Sequence, residues 1–289
     1  MSKGIVIFAQ NNGYVEYVQI ACASAGYARK SLSGFDEICL ITDKKSLEND
    51  KELVDRYFDR TIIIPESNDS TMRLYRDTSK NTEGAYFINK SRSDAYTLSP
   101  YDETLLIDCD YFAMTNQLDG VWNSKNDFMI TKNHTDISQV KISNIARLSD
   151  TSIDMYWATV VYFKKSEFAA NLFSLISHIK VNYQYYYKLY KCDISLYRND
   201  HTFSIALHIL NGEVGTAVPE LPFATLMNSF DTDEIFRVDR HDDLLMITAK
   251  HKKNTVRNVV RLQRSDLHIM NKRSIIKHLP EFLENGVEI

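Results

Sequence analysis

Leu105-Leu106-Ile107-Asp108-Cys109-Asp110 is an apolar run of strand length that ends in two carboxylates one residue apart. On a strand, residues i and i+2 point to the same side, so Asp108 and Asp110 can face one divalent cation together. Hard oxygen ligands of this kind suit Mg²⁺ or Mn²⁺ and, through the ion, a diphosphate. The same two acids would also fit a solvated exit from a strand into a loop, so the flanking sequence decides between the two.

Upstream, strand and helix patterns alternate. Gly4 to Ala9 is an apolar run. Tyr14 to Leu32 has helically spaced apolar residues, with Ala21, Ala23, Ala25 and Ala28 small enough for close packing on a sheet. Glu37 to Thr42, ending in Asp43, and Arg60 to Ile64, stopped by Pro65, read as further strands around a charged helical stretch from Lys44 to Tyr57. Strands separated by helical crossovers imply a mainly parallel sheet flanked by helices, an α/β fold. Ligands of such sheets bind at the carboxyl ends of the strands. Gln10, Asn11, Asn12, Tyr14 and Asp43 fall there with the acid pair.

Ser67 to Thr82 is polar and reads as a loop or lid, and 133 to 153 is a second candidate for a substrate loop. Between them, Phe87 to Leu98 looks helical, Ser99-Pro100-Tyr101-Asp102 makes a turn, and Asp127 to Thr131 is a short strand. Tyr156 to Phe163 is a strand rich in β-branched and aromatic residues, and Ser166 to Val181 a helix. The tyrosines of 183 to 190 fit a half-buried packing face better than a ligand stack.

The bounds on function are broad. A chain of 289 residues can bury the core of a single large domain. A formal charge of -4 exerts no global pull toward nucleic acid or membrane. No window approaches the ~18 apolar residues of a membrane span, and the opening residues do not resemble a signal peptide, so a cytoplasmic protein without membrane association is expected. Cys22, Cys39, Cys109 and Cys192 lack Cys-x-x-Cys spacing and read as reduced thiols, with Cys109 turned away from the metal face.

The order of these features resembles the GT-A glycosyltransferases, a Rossmann-like class, especially the family 8 type that includes glycogenin and bacterial galactosyltransferases. The likeness is carried by the polar loop after the first strand, the Pro-Tyr-Asp turn, the Asp-x-Asp pair and Leu118-Asp119-Gly120, and it covers about residues 4 to 275. It implies a nucleotide-binding half at 4–115 and an acceptor half at 116–289. It also implies Asp108 and Asp110 on the metal, with a C-terminal His as third ligand and a Lys after it on the leaving diphosphate. Leu267-His268-Ile269-Met270-Asn271-Lys272 resembles that last segment, so His268 and Lys272 take those roles, with His251 as runner-up ligand. The family's usual Gly-x-x-Lys-Pro-Trp continuation is absent.

The family's Asn-Ala-Gly strand is replaced here by Trp157-Ala158-Thr159-Val160-Val161. Trp157, Thr159 and Arg92 are the further donor-site candidates, and a UDP-sugar is the favoured donor. Asn199-Asp200-His201 corresponds to an Asp-Gln pair that opens a helix near the reacting sugar. Asp200 is thus the first candidate base for an inverting mechanism; alternatively, Asn199 or Asp200 caps that helix.

The acceptor side has a clue in Lys250, Lys252, Lys253, Arg257, Arg261, Arg264, Lys272, Arg273 and Lys277, set against Asp266 alone. This basic segment suits a solvated surface or contact with a phosphate backbone. Residue usage and the stretch from Tyr197 to Gly212 resemble glycosyltransferase-like proteins of large tailed bacteriophages. That resemblance implies hydroxymethylated cytosine in DNA as acceptor, the base flipped out and stacked on aromatics, with the host cytoplasm as location.

Three rival classes remain. A haloacid dehalogenase-like phosphatase carries its Asp-x-Asp on the first core strand, whereas three strands precede it here. A nucleotidyltransferase would show a Gly-rich basic loop where this chain has Ala9-Gln10-Asn11-Asn12-Gly13. A non-catalytic binding module would have no need of the acids and His268 together.

Overall fold

The computed structural model describes residues 1–66, 72–76, 82–86, 88, 91–137, 146–193, 196–212, 218–223, 225–239, 243–248 and 258–287. It is a mixed α/β domain around a six-stranded sheet of order β3-β2-β1-β6-β10-β8. The strands are β1 (Lys3–Phe8), β2 (Glu37–Asp43), β3 (Arg60–Ile64), β6 (Glu103–Asp108), β8 (Phe128–Thr131) and β10 (Trp157–Lys164). β1 pairs in parallel with β2 and β6, and β2 with β3, while β10 runs antiparallel to both β6 and β8. The sheet is therefore mainly parallel, with one reversed strand beside the acid-bearing one.

α1 (Tyr17–Ser31) covers this sheet with ten buried residues, among them Ala21, Ala23, Ala25, Gly26 and Ala28. α2 (Lys44–Tyr57) follows β2 and is capped by Asp43, whose Oδ1 accepts from Ser46 N at 2.8 Å. α4 (Glu167–Val181) is capped by Ser166 and packs on α6 (Asn199–Leu210) beyond β10. The tyrosine-rich α5 (Tyr183–Leu189) buries only Tyr183, and Tyr185 is exposed.

A second sheet of order β7-β15-β11-β9 was not foreseen from sequence. It joins β7 (Tyr111–Phe112), directly after the acid pair, to β15 (Leu267–Ile269), β11 (Leu226–Ser229) and β9 (His134–Asp136). β9 lies inside the stretch expected as a substrate loop, of which 138–145 are outside the described residues. β4 (Met72–Arg76) lies within the first expected lid and pairs with β5 (Thr82–Tyr86), which begins at the last residue of that stretch. The helix expected over Phe87 to Leu98 is a 3₁₀ turn, Ser91–Asp94, leading into the short α3 (Ala95–Leu98).

The C-terminal quarter holds an antiparallel sheet of β12 (Glu234–Asp239), β13 (Asp243–Ile247) and β14 (Val259–Gln263). It ends in α7 (Lys272–Lys277) and α8 (Leu279–Asn285). α8 lies against α1, where Gly26 approaches Gly286 so closely that a Cβ on Gly26 would stand 2.9 Å from the Gly286 carbonyl oxygen. Tyr27, Phe112 and Phe282 form an aromatic cluster between α1, β7 and α8, with centroids 4.7 to 6.0 Å apart. α8 is thereby fastened to α1.

Candidate metal and diphosphate site

β1 and β6 pair with Phe8 opposite Asp108, so Gln10 and Asp110, each two residues further on, leave the sheet side by side at its carboxyl edge. Asp108, Asp110 and His268 meet there, each offering one ligand atom within 4.8 Å of the others. His268 arrives through the second sheet, where it pairs with Tyr111 across β15 and β7, and Ile269 N donates to Asp110 O at 2.9 Å. Its Nε2 lies 3.3 Å from Asp110 Oδ2. Cys109, between the acids, is buried in the core.

Two cations flank the carboxylates. Lys272 opens α7 and forms an ion pair with Asp110. The preceding Asn271, itself fully buried, accepts from Ser274 N at 3.0 Å and so fixes the start of that helix. Arg92, on the turn expected to be helical, is buried and pairs with Asp108. Its guanidinium also donates to Ala158 O and, at 3.1 Å, to Thr159 O, stitching the acid strand to β10.

The two acids titrate apart. Burial pushes the Asp108 carboxyl up to about 6, with Asp110 adding to the rise and Arg92 opposing it. Burial acts on Asp110 in the same direction, but Lys272 and His268 outweigh it and hold its carboxyl well below the usual range. The donor set of two carboxylates and an imidazole, closely spaced and charge-compensated, fits a divalent cation.

Asp200 sits behind β10. Its Oδ1 accepts from Ala158 N at 2.9 Å, and its Oδ2 accepts from Arg198 at 2.7 and 3.2 Å. Burial would raise this carboxyl, yet the Arg198 guanidinium holds it below its ordinary value. It does not cap α6, whose flanking residue is Arg198, and no side chain caps that end among the described residues. Thr159 lies 3.4 Å from His268 Nδ1 through its hydroxyl, while Trp157 is buried with its ring 5.0 Å from that of His134.

The residues expected at the nucleoside form a second group on the same edge, and they bind one another. Gln10 donates to Asp43 at 3.0 Å, and Asp43 also holds the Ser46 hydroxyl. Asn11 Oδ1 accepts from Val18 N at 3.0 Å, serving the start of α1. Asn12 Oδ1 accepts from Tyr14 N and Val15 N, and its amide donates to Tyr86 O. The Tyr14 ring lies 4.1 Å from the Arg273 guanidinium, which links this loop to α7. These side chains build the loop through bonds to one another and to the start of α1.

His251, with Lys250, Lys252, Lys253 and Arg257, lies outside the described residues. Of the other basic residues there, Arg261 pairs with Asp243 at 2.5 Å and Lys272 with Asp110. Sequence reasoning missed Asn228 and Arg198 as site residues. Arg198 is adjacent to Asp200 in the chain and could have been paired with it, whereas Asn228 becomes visible only through the register of β11 with β15.

No protein-family model matches this chain, and no curated protein matches it. Similar solved structures include the glycosyltransferase GlyE of Streptococcus pneumoniae TIGR4, at 11% identity and TM-score 0.40, covering 72% of this chain and 43% of that one. An active-site mutant of the galactosyltransferase LgtC matches at 15% identity and TM-score 0.47, covering 75% of this chain and 72% of that one. 4-Diphosphocytidyl-2C-methyl-D-erythritol synthase of Anaerococcus prevotii DSM 20548 matches at 13% and 0.39, covering 76% and 86%. The chain thus spans less than half the length of GlyE.

Proposed function

We propose that this protein is a metal-dependent glycosyltransferase of GT-A type that uses a nucleotide-sugar donor. The observation that carries the reading is the meeting of Asp108, Asp110 and His268 at the carboxyl edge of the sheet, with Lys272 beside them. A divalent cation held there, Mn²⁺ or Mg²⁺, would neutralise charge on a nucleoside diphosphate leaving group. Lys272 would add a second positive charge to the same oxygens once released from Asp110. Arg92 keeps Asp108 oriented and ties the strand to β10, where a sugar would lie against Thr159 and Trp157.

Asp200 is engaged by Arg198 and Ala158 N, which favours an anchoring role for it over that of a proton acceptor. Without a base at that position, the leaving phosphate itself would take the acceptor proton, as a retaining transfer allows. The finer part of the proposal is a UDP-sugar donor and hydroxymethylated cytosine in phage DNA as acceptor. Its support is the sequence resemblance and the basic residues between 250 and 278.

The test is release of nucleoside diphosphate from UDP-, GDP- and CDP-sugars with Mn²⁺, with and without hydroxymethylcytosine DNA. Asp108→Asn should lower kcat/KM by about 10²–10³-fold, the usual cost of losing one electrostatic stabiliser, while leaving the far-UV spectrum unchanged. Full activity in that variant would refute the site, and release unaffected by DNA would move the acceptor to a glycan, protein or small molecule.

A further inference from the structure

We infer that Asn228 is a positioning residue that fixes the tautomer of His268, so that Nε2 is the ring atom offered to a divalent cation. The inference deepens the proposed function and rests on its metal site.

A neutral imidazole has one donor and one acceptor nitrogen, and its surroundings decide which is which. His268 Nδ1 lies 2.9 Å from Asn228 Oδ1. An amide oxygen only accepts, so a proton belongs on Nδ1, which the Thr159 hydroxyl also approaches at 3.4 Å, and Nε2 is left as the ring atom that can turn a lone pair to a cation. That second nitrogen is the one facing Asp110, 3.3 Å from its Oδ2. A cation would take the place of any proton that Nε2 shares with Asp110, while the bond to Asn228 keeps the other proton on Nδ1.

The backbone leaves Asn228 little freedom. It pairs with His268 on one side, across β11 and β15, and with Asp136 on the other, across β11 and β9. Only 3% of the residue is exposed. Its carbonyl accepts from Ile137 N at 2.9 Å, which closes the second neighbour onto it. The side chain is held at one distance from the imidazole, as a hydrogen-bonded partner of a metal-binding histidine must be.

Packing does not account for an amide here. Asn228 Nδ2 is buried with no hydrogen-bond partner among the described residues, and a buried unpaired donor is costly. Leucine would fill a similar volume without that cost. An aspartate would accept from Nδ1 equally well but would add a further negative charge beside Asp108 and Asp110. Asparagine supplies the acceptor without the charge.

Nitrogen-15 spectra of the histidines in the metal-free protein, with Mn²⁺ titration followed by electron paramagnetic resonance, test this. His268 should carry a proton on Nδ1 in the wild type, with or without the ion. Asn228→Leu should lose that preference and bind Mn²⁺ about 10- to 100-fold more weakly, the usual effect of removing such a partner. Asn228→Asp, which keeps the acceptor and guards against a folding defect in the leucine variant, should bind at least as tightly as wild type. A wild-type Nδ1 without a proton, or equal Mn²⁺ affinity in wild type and Asn228→Leu, would overturn the role of Asn228 alone. A wild type with Nδ1 protonated that takes up no Mn²⁺ would overturn the metal reading and this use of the hydrogen bond with it.

Discussion

Asp110 and Asp200 are both buried acids held ionised by a neighbouring cation, yet the chemistry open to them differs. Asp110 shares one oxygen between Lys272 and His268, partners that a cation and a diphosphate could rearrange. Asp200 spends both oxygens on a backbone N–H and a guanidinium two residues away. Its depressed folded pKa contributes stability that is fully present above the unfolded value, about 3.9, and is lost as pH falls through the folded value. Asp200→Asn should therefore cost about 1–3 kcal/mol in urea unfolding at pH 7, and the gap to wild type should shrink as pH drops below about 4. A constant gap across that range would assign the loss to packing. At this scale, Asp108 and Asp110 were legible as the two acids that end an apolar run, although only Asp108 lies on the strand and Asp110 stands in the turn beyond it. His268 was legible only by its order in the chain, and Asn228 not at all, because nothing local to Leu226–Ser229 announces a partner in β15.

Element boundaries follow the same division between local and distant causes. Apolar runs such as Ile5 to Phe8 and Leu105 to Ile107 sit in the interior of the large sheet and are buried throughout, so their pattern alone announces strands. β12, β13 and β14 escaped notice because each is half exposed, broken by charges, and stable only through its neighbours. The direction of β10 is likewise a property of the pairing and not of Trp157–Lys164. α8 illustrates how a distant contact can govern an element, since its seat on α1 depends on two glycines. Gly26→Ala would improve helix propensity by up to about 1 kcal/mol, but the new methyl meets a backbone oxygen and the Tyr57 ring at 2.9 and 3.0 Å. Overpacking against backbone should win, with a net loss of about 1–2 kcal/mol. Denaturant midpoints decide the matter; an unchanged or raised midpoint would show that α8 can step aside.

For the molecule as a whole, the candidate site is where the two main sheets meet, so ligand binding and global stability are linked. A cation that binds only the folded chain at 100 times its dissociation constant stabilises by about 2.7 kcal/mol. Thermal unfolding in rising Mn²⁺ should shift the midpoint upward accordingly, and His268→Ala should abolish most of that shift while leaving the metal-free midpoint within a few degrees. An equal shift in both proteins would locate the ion elsewhere. Four of the six strands of the large sheet and its covering helix could be read in the first 110 residues, where β1 and β2 are each followed by a helix. The second sheet could not, since β7 waits for β15, and Asp266 holds Met114 N across 152 residues of chain. That pairing also sets a timetable. A ribosome adding about 5–20 residues each second would need roughly 8–30 s to travel from β7 to the strand that completes it, and through that interval the nascent chain would carry both aspartates without their histidine. Until β15 is made, a nascent chain would hold the acid pair with its third candidate ligand still missing, so the cluster is assembled by a strand made long after the one it completes.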